Sequence, residues 1–228
     1  MKKYFFLILA ITLVIHTAKA QSFHKGAIVI DLGAGLNISK TAIEEEYNSQ
    51  IWNGSGLTTV RIQKDTTDAS AAAVYPLTVE YGVKNWLGIA GRVALSKYFS
   101  GADSANGVKV DARGIDAGVV FNLHLIKTKR FDMPIGVTLG YSNFKMTSND
   151  ALQSKAKDNG LNYGFAAVPR IYFGNHIGLS INLGYMVYTY PNLLFSNKND
   201  SNVNDNNDHE FKLKATGANI GVGLIIKI

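Results

Sequence analysis

Residues 218–228 read ANIGVGLIIKI. Ala218, Ile220, Val222, Leu224, Ile226 and Ile228 are apolar, and between them stand Asn219, Gly221, Gly223, Ile225 and Lys227. A period of two marks a β-strand with one apolar face and one small or polar face. The chain stops where this strand stops, so the segment reads as the closing strand of a barrel.

The same alternation recurs upstream. Residues 177–187 set Ile177, Leu179, Ile181, Leu183, Tyr185 and Val187 against Gly178, Ser180, Asn182, Gly184 and Met186. Ile28, Ile30, Leu32, Ala34, Leu36 and Ile38 alternate with Val29, Asp31, Gly33, Gly35 and Asn37, and Ile115 to Leu123 behave likewise. On this basis the chain carries eight strands, at 27–38, 74–84, 87–98, 112–125, 133–146, 160–173, 177–190 and 211–228. Most are long enough to cross a bilayer at a tilt. The connections alternate between tight turns (Asn85-Trp86, Lys127 to Asp132, Gly174 to His176) and longer loops at 39–73, 99–111, 147–159 and 191–210. Short turns on one rim and long loops on the other is the pattern of a barrel that spans an outer membrane.

Alternation does not say which face points outward. A soluble barrel hides its apolar face inside and shows charge to water. Here the non-apolar face is glycine, alanine, serine and asparagine with few charges, which suits the crowded interior of a narrow barrel. The apolar face is therefore assigned to lipid. Tyr75, Tyr141, Tyr163 and Tyr185 near one rim, and Trp86, Phe131 and Phe173 near the other, fit the aromatic girdles of membrane interfaces.

The N-terminus has the form of an export signal. Lys2 and Lys3 precede an uncharged apolar run, Tyr4 to Ile15, and Ala18-Lys19-Ala20 supplies small residues for cleavage after Ala20. The expected division is 1–20 signal peptide and 21–228 barrel domain. Removing Lys2, Lys3 and Lys19 takes Lys+Arg from 23 to 20 against 17 Asp+Glu, leaving +3 rather than +6. So small a charge, without a clustered basic face, gives no support to nucleic-acid binding. The chain has no cysteine, so no disulfide framework and no lipid anchor on a cysteine are available.

The pattern as a whole resembles the small eight-stranded outer-membrane barrels of Gram-negative bacteria, the OmpA-transmembrane-domain and OmpX-like group. The resemblance covers the mature chain and lies in strand pattern rather than in one motif. It implies an all-β, eight-stranded antiparallel up-and-down transmembrane β-barrel. Its partners would be outer-membrane lipids, the barrel-assembly machinery during biogenesis, and a surface ligand for the loops that the sequence does not name. Such families usually end in an aromatic residue, whereas this chain ends in Ile228. No periplasmic domain follows the last strand, so peptidoglycan tethering of the OmpA kind is not implied.

Six charges fall on the inward face: Asp31, Glu80, Lys84, Arg92, Asp116 and Arg170. With Lys84 opposite Gly88 across the Asn85–Leu87 turn, Glu80 stands opposite Arg92, and Asp116 approaches Arg92 from the next strand. Buried charges persist when paired, so these residues are expected to form a structural network filling the lumen. Catalysis by a serine–histidine pair has little support. Of the mature histidines only His124 faces the lumen, and Ser96, Ser142 and Ser180 lie away from it. Residues 196–210 carry Asp200, Asn202 and Asn204 at calcium-loop spacing, but Asp205 and Phe211 stand where glycine and glutamate are required. No metal or cofactor is expected. Pro76 opens one strand. Pro169 interrupts another on the lipid face, where a missing donor weakens the wall.

The leading expectation is a closed barrel with a structural or surface-interaction role. The alternative is passage of small hydrophobic molecules through a lateral opening at Pro169, as in barrels resembling the OmpW type. A lipid-modifying enzyme comes third.

Overall fold

The computed structural model describes residues 22–52, 54–99, 109–150, 153–196 and 210–228. The expected signal peptide, Gln21 and the calcium-like run with His209 lie outside these residues.

The strands are β1 (Ile28–Trp52), β2 (Leu57–Lys84), β3 (Leu87–Tyr98), β4 (Val110–Lys127), β5 (Phe131–Ser148), β6 (Lys155–Ala167), β7 (Arg170–Phe173), β8 (Ile177–Tyr190), β9 (Leu194–Ser196) and β10 (Glu210–Lys227). Each neighbouring pair is antiparallel, and β10 pairs with both β8 and β1. With β6 and β7 as two parts of one stave, eight staves close into a ring. Closure can be followed residue by residue. Ile28 faces Tyr81, then in turn Ile89, Phe121, Val137, Phe165, Tyr185 and Ala218, and the row returns to β1 at Ile38. The row re-enters its starting strand ten residues further along, between Ile28 and Ile38. That stagger requires strands tilted by about 35–45° from the barrel axis.

The outer face is apolar. Leu32 is 61% exposed, Val222 66% and Leu139 60%, while the alternating residues Val29, Asn37, Asp116 and Asn122 are buried inside. A belt of exposed leucine, isoleucine and valine around a polar lumen reverses the arrangement of a water-soluble barrel and needs hydrocarbon outside. Ring closure leaves no edge strand in that medium, where each unpaired N–H or C=O costs several kcal/mol.

The wall reaches further on the loop side than alternation indicated. The segment 39–73 is a ladder rather than a loop: β1 and β2 stay in register from Ser39↔Ser70 out to Trp52↔Leu57. The reason it was illegible is physical. Beyond Ile43, which still packs on the side chains filling the loop end, neither face of the ladder has a packed lumen or hydrocarbon against it, and no solvent imposes a period of two on the side chains. Arg61 and Lys212 both bind Glu46 here and hold its carboxyl below the usual carboxylate range.

The β2–β3 register also differs from expectation. Gly82, not Lys84, stands opposite Gly88, because the ladder is irregular between Gly82 and Lys84. Glu80 therefore faces Ala90, and Arg92 faces Thr78. The displacement is two residues, so the side chains of β2 up to Gly82 keep their faces. Lys84 leaves the inward set altogether. It is exposed, with Nζ 5.3 Å from the centre of the Trp86 ring.

At Pro169 the stave is interrupted but not displaced. β6 pairs Ala167 with Ile135 and β7 pairs Arg170 with Asp132, in one continuous register on β5. Across the interruption Val168 N–H donates to the Pro134 carbonyl at 3.0 Å, and Ile181 N–H donates to the Pro169 carbonyl at 2.9 Å.

Candidate functional site

The lumen holds two clusters and a cavity between them. At the short-turn end four charged side chains from four strands converge: Glu80 (β2), His124 (β4), Asp132 (β5) and Arg170 (β7). Arg170 Nη1 lies 2.7 Å from Glu80 and 3.6 Å from Asp132. His124 Nε2 is 2.8 Å from Glu80 Oε1, and His124 Nδ1 is 2.8 Å from Asp132 Oδ2. Both ring nitrogens face carboxylates, which only accept, so the imidazolium form satisfies both. Two carboxylates, one guanidinium and one imidazolium then sum to zero in a region closed to solvent.

Backbone features set these positions. The Lys127–Phe131 turn is tied by Thr128 N–H to the Phe131 carbonyl at 2.7 Å, which starts β5 with Asp132 inward. β7 begins directly after Pro169 with Arg170 opposite Asp132 on one side and Ser180 on the other. Gly88 supplies the room for Glu80: a Cβ at that position would collide with the Glu80 carboxylate. Gly88→Val should therefore expel Glu80 from its partners and destabilise the barrel by about 2–4 kcal/mol, checked by urea unfolding in lipid vesicles.

The chain before β1 caps this network. Ser22 N–H donates to Thr128 O at 2.9 Å, and its hydroxyl donates to Phe131 O at 3.0 Å. The Phe23 ring lies parallel on His124, centroids 3.4 Å apart at 7°. Phe23, Ala27, Val29, Tyr172 and Ile225 form an apolar cluster around the stack. The backbone of residues 26–27 is bound to Gly82 in both directions, Gly26 N–H to Gly82 O and Gly82 N–H to Ala27 O, each at 2.8 Å.

At the loop end the lumen is filled by aromatic and aliphatic side chains: Tyr98, Phe144, Tyr188, Tyr190, Leu193 and Leu213 among them. Phe144 meets Tyr98 edge-on and Tyr190 at a tilt, both with centroids 5.5 Å apart. Asp116 is embedded here among hydroxyls. Ser142 donates to it at 2.5 Å and Tyr188 at 3.4 Å, while Tyr190 OH, 2.7 Å from Ser142 Oγ, completes the chain.

Between the two clusters lies a cavity of about 90 Å³, bordered by Asp31, Arg92, Asn122, Arg170 and Asn182. It has room for a few waters. Asp31 accepts a bond from Ser180 Oγ at 3.1 Å. Arg92 is half-buried at the cavity edge, and among the described residues no carboxylate lies within ion-pair distance of it.

The inward charges thus separate. Glu80 and Arg170 meet each other; Asp31 and Arg92 border the cavity; Asp116 belongs to the tyrosine cluster; Lys84 is outside. Asp132 and Phe23 were not anticipated. Continuing the inward parity of β5 from Pro134 one step into the turn would have found Asp132. Nothing periodic marks Phe23, a lone aromatic residue just ahead of the first strand. His124 and Glu80 were each placed inward from sequence, but their contact was not foreseen, and the second carboxylate on the ring, Asp132, was missed.

No family model matches the sequence, and neither does any curated protein. Solved structures do. The chain is similar to outer membrane protein OprG from Pseudomonas aeruginosa (12% identity, TM-score 0.47, covering 90% of this chain and 97% of that one). It is similar to Neisserial surface protein A (11% identity, TM-score 0.47, 90% and 98%). A third is Ail, the attachment invasion locus protein of Yersinia pestis (10% identity, TM-score 0.42, 90% and 99%).

Proposed function

We propose that this chain, a small eight-stranded β-barrel of the Gram-negative outer membrane, is a closed, pore-free barrel whose work is done at the cell surface. The observation that carries this reading is the double closure of the lumen. The Phe23-capped charge cluster fills one end, the tyrosine cluster fills the other, and the space between is a cavity of about 90 Å³. Eight staves leave an interior that side chains can fill, and here they do so from both ends.

The surface element is the β1–β2 hairpin. It carries the wall beyond the ring, and its tip exposes Ile51, Trp52 and Leu57. Exposed aromatic and aliphatic side chains at the end of a protruding ladder suit contact with another macromolecule. The cavity touches the wall beside Pro169 at Phe165, Ala166 and Val168, but the ladder keeps its register on both sides of that residue, which weighs against lateral passage there.

The chain has no cysteine, so an introduced one is unique. Leu57→Cys should react with a membrane-impermeant maleimide on intact cells, whereas Asn85→Cys, in a short turn, should react only after lysis. A photoreactive group attached at position 57 should then give cross-links on intact cells. The inverse labelling pattern would mean the opposite orientation, and the absence of any cross-link would remove the surface-contact role.

A further inference from the structure

The outward face carries an arrangement that neither the closed lumen nor the hairpin explains. Lys97 stands directly opposite Arg113, Arg113 opposite Lys145, and Lys145 opposite Lys157. Four adjacent strands, β3 to β6, thus place four cations side by side, all exposed. Directly opposed like charges on one face of a sheet are destabilising. Asp111 relieves one of them, binding Arg113 at 2.7 Å. On the β1 side of the ring the outward acid Glu46 has Arg61 and Lys212 as its own partners, and the exposed Lys40 and Lys214 stand opposite Thr216 and Ala42, so cation directly opposing cation is a feature of β3–β6.

Its height is informative. On β3 and β4 the row lies one pleat beyond the exposed pair Leu95↔Ile115, roughly 7 Å along the strands. The tilt of the staves carries it obliquely from the top of the apolar belt into the layer where lipid headgroups lie. Between β4 and β5 a surface groove of about 200 Å³, bordered by Asp111, Arg113, Lys145 and Thr147, opens on the row. A row of guanidinium and ammonium groups beside a groove, at headgroup depth, matches dianionic phosphate groups in charge and in donor geometry.

We propose that Lys97, Arg113, Lys145 and Lys157 form a binding site for the phosphate groups of phosphorylated outer-leaflet lipid, which offset the repulsion within the row. The site rests on the placement of the barrel in the membrane, and its test separates the two.

The folded protein in neutral detergent is titrated with lipid A carrying its phosphates and with lipid A from which they have been removed. Folding is read independently from the heat-dependent shift of the barrel on electrophoresis. Wild type should retain the phosphorylated form at least about tenfold more tightly. The triple variant Arg113→Gln/Lys145→Gln/Lys157→Gln should bind it on the order of a hundredfold less tightly than wild type. The control Lys40→Gln/Lys214→Gln, two exposed lysines on β1 and β10, should bind as wild type does. Equal retention of both lipids, an unaffected triple variant, or an equal loss in the control would each overturn the proposal. Should the triple variant fail the folding test, Lys145→Gln/Lys157→Gln keeps the Arg113–Asp111 pair and must still show a loss. A wild-type chain without the heat-dependent shift would contradict the barrel itself rather than the site.

Discussion

Replacing Arg170 with methionine should lower the unfolding free energy by about 3–5 kcal/mol, the usual cost of removing one partner from a buried ion pair. Arg170 is 2% exposed and Glu80 is 0% exposed. Without the guanidinium, Glu80 and Asp132 share a single imidazolium, and one carboxylate is left without a counter-charge in a region closed to water. The double variant Arg170→Met/Glu80→Gln restores the balance, because Asp132 and His124 remain as a neutral pair. It should recover much of the loss. The measurement is a double-mutant cycle on urea unfolding in lipid vesicles. Additive effects of the two single changes would show that the pair does not act together. Arg92→Met should cost less than Arg170→Met, since Arg92 is half-buried at the cavity and not against a carboxylate.

Truncating Phe23 to alanine should open the short-turn mouth. Fully buried aromatic residues typically lose about 3–5 kcal/mol on such truncation. Phe23, however, lies in a segment ahead of the first strand, and residues 22–27 can undock while the ring stays closed. The loss is then limited to the docking free energy and shows as local opening rather than global unfolding. Gly82 N–H donates to Ala27 O in the docked state, so its hydrogen exchange reports undocking. It should accelerate on the order of a hundredfold in Phe23→Ala, while amides at mid-wall in β4 and β5 stay protected. Unchanged exchange at Gly82 would show that the stack on His124 does not hold the segment.

Much of the wall was legible because lipid enforces it. Hydrocarbon outside and packed polar groups inside leave only period-two sequences viable, and residues 115–123, 177–187 and 218–228 display that period openly. Two features escaped for different reasons. The β1–β2 extension stands in water on both faces, so Glu44-Glu45-Glu46 and Thr66-Thr67 carry no alternation to read. The ladder irregularity between Gly82 and Lys84 shifts the β2–β3 register by two residues and, of the inward charges on β2, moves only Lys84 off its face, and alternation is blind to such a shift.

The site was legible in its members more than in its pairings. Inward parity identified Glu80, Arg170 and His124 separately. It did not join them, because Glu80 and Arg170 are 90 residues apart and sit on strands that are not neighbours in the ring. Their contact runs across the lumen, where stagger and side-chain length decide who meets whom. Neighbour-to-neighbour reasoning along the ladder led to Arg92 instead.

The central claim is that the lumen is shut at both ends, and single-channel recording in planar lipid bilayers tests it most directly. Folded wild-type protein should insert without steady conductance steps, and removal of Phe23 alone should not create them, because Tyr98, Tyr188 and Tyr190 still fill the loop end. Regular, long-lived steps from the wild-type barrel would show a continuous aqueous path and contradict the account.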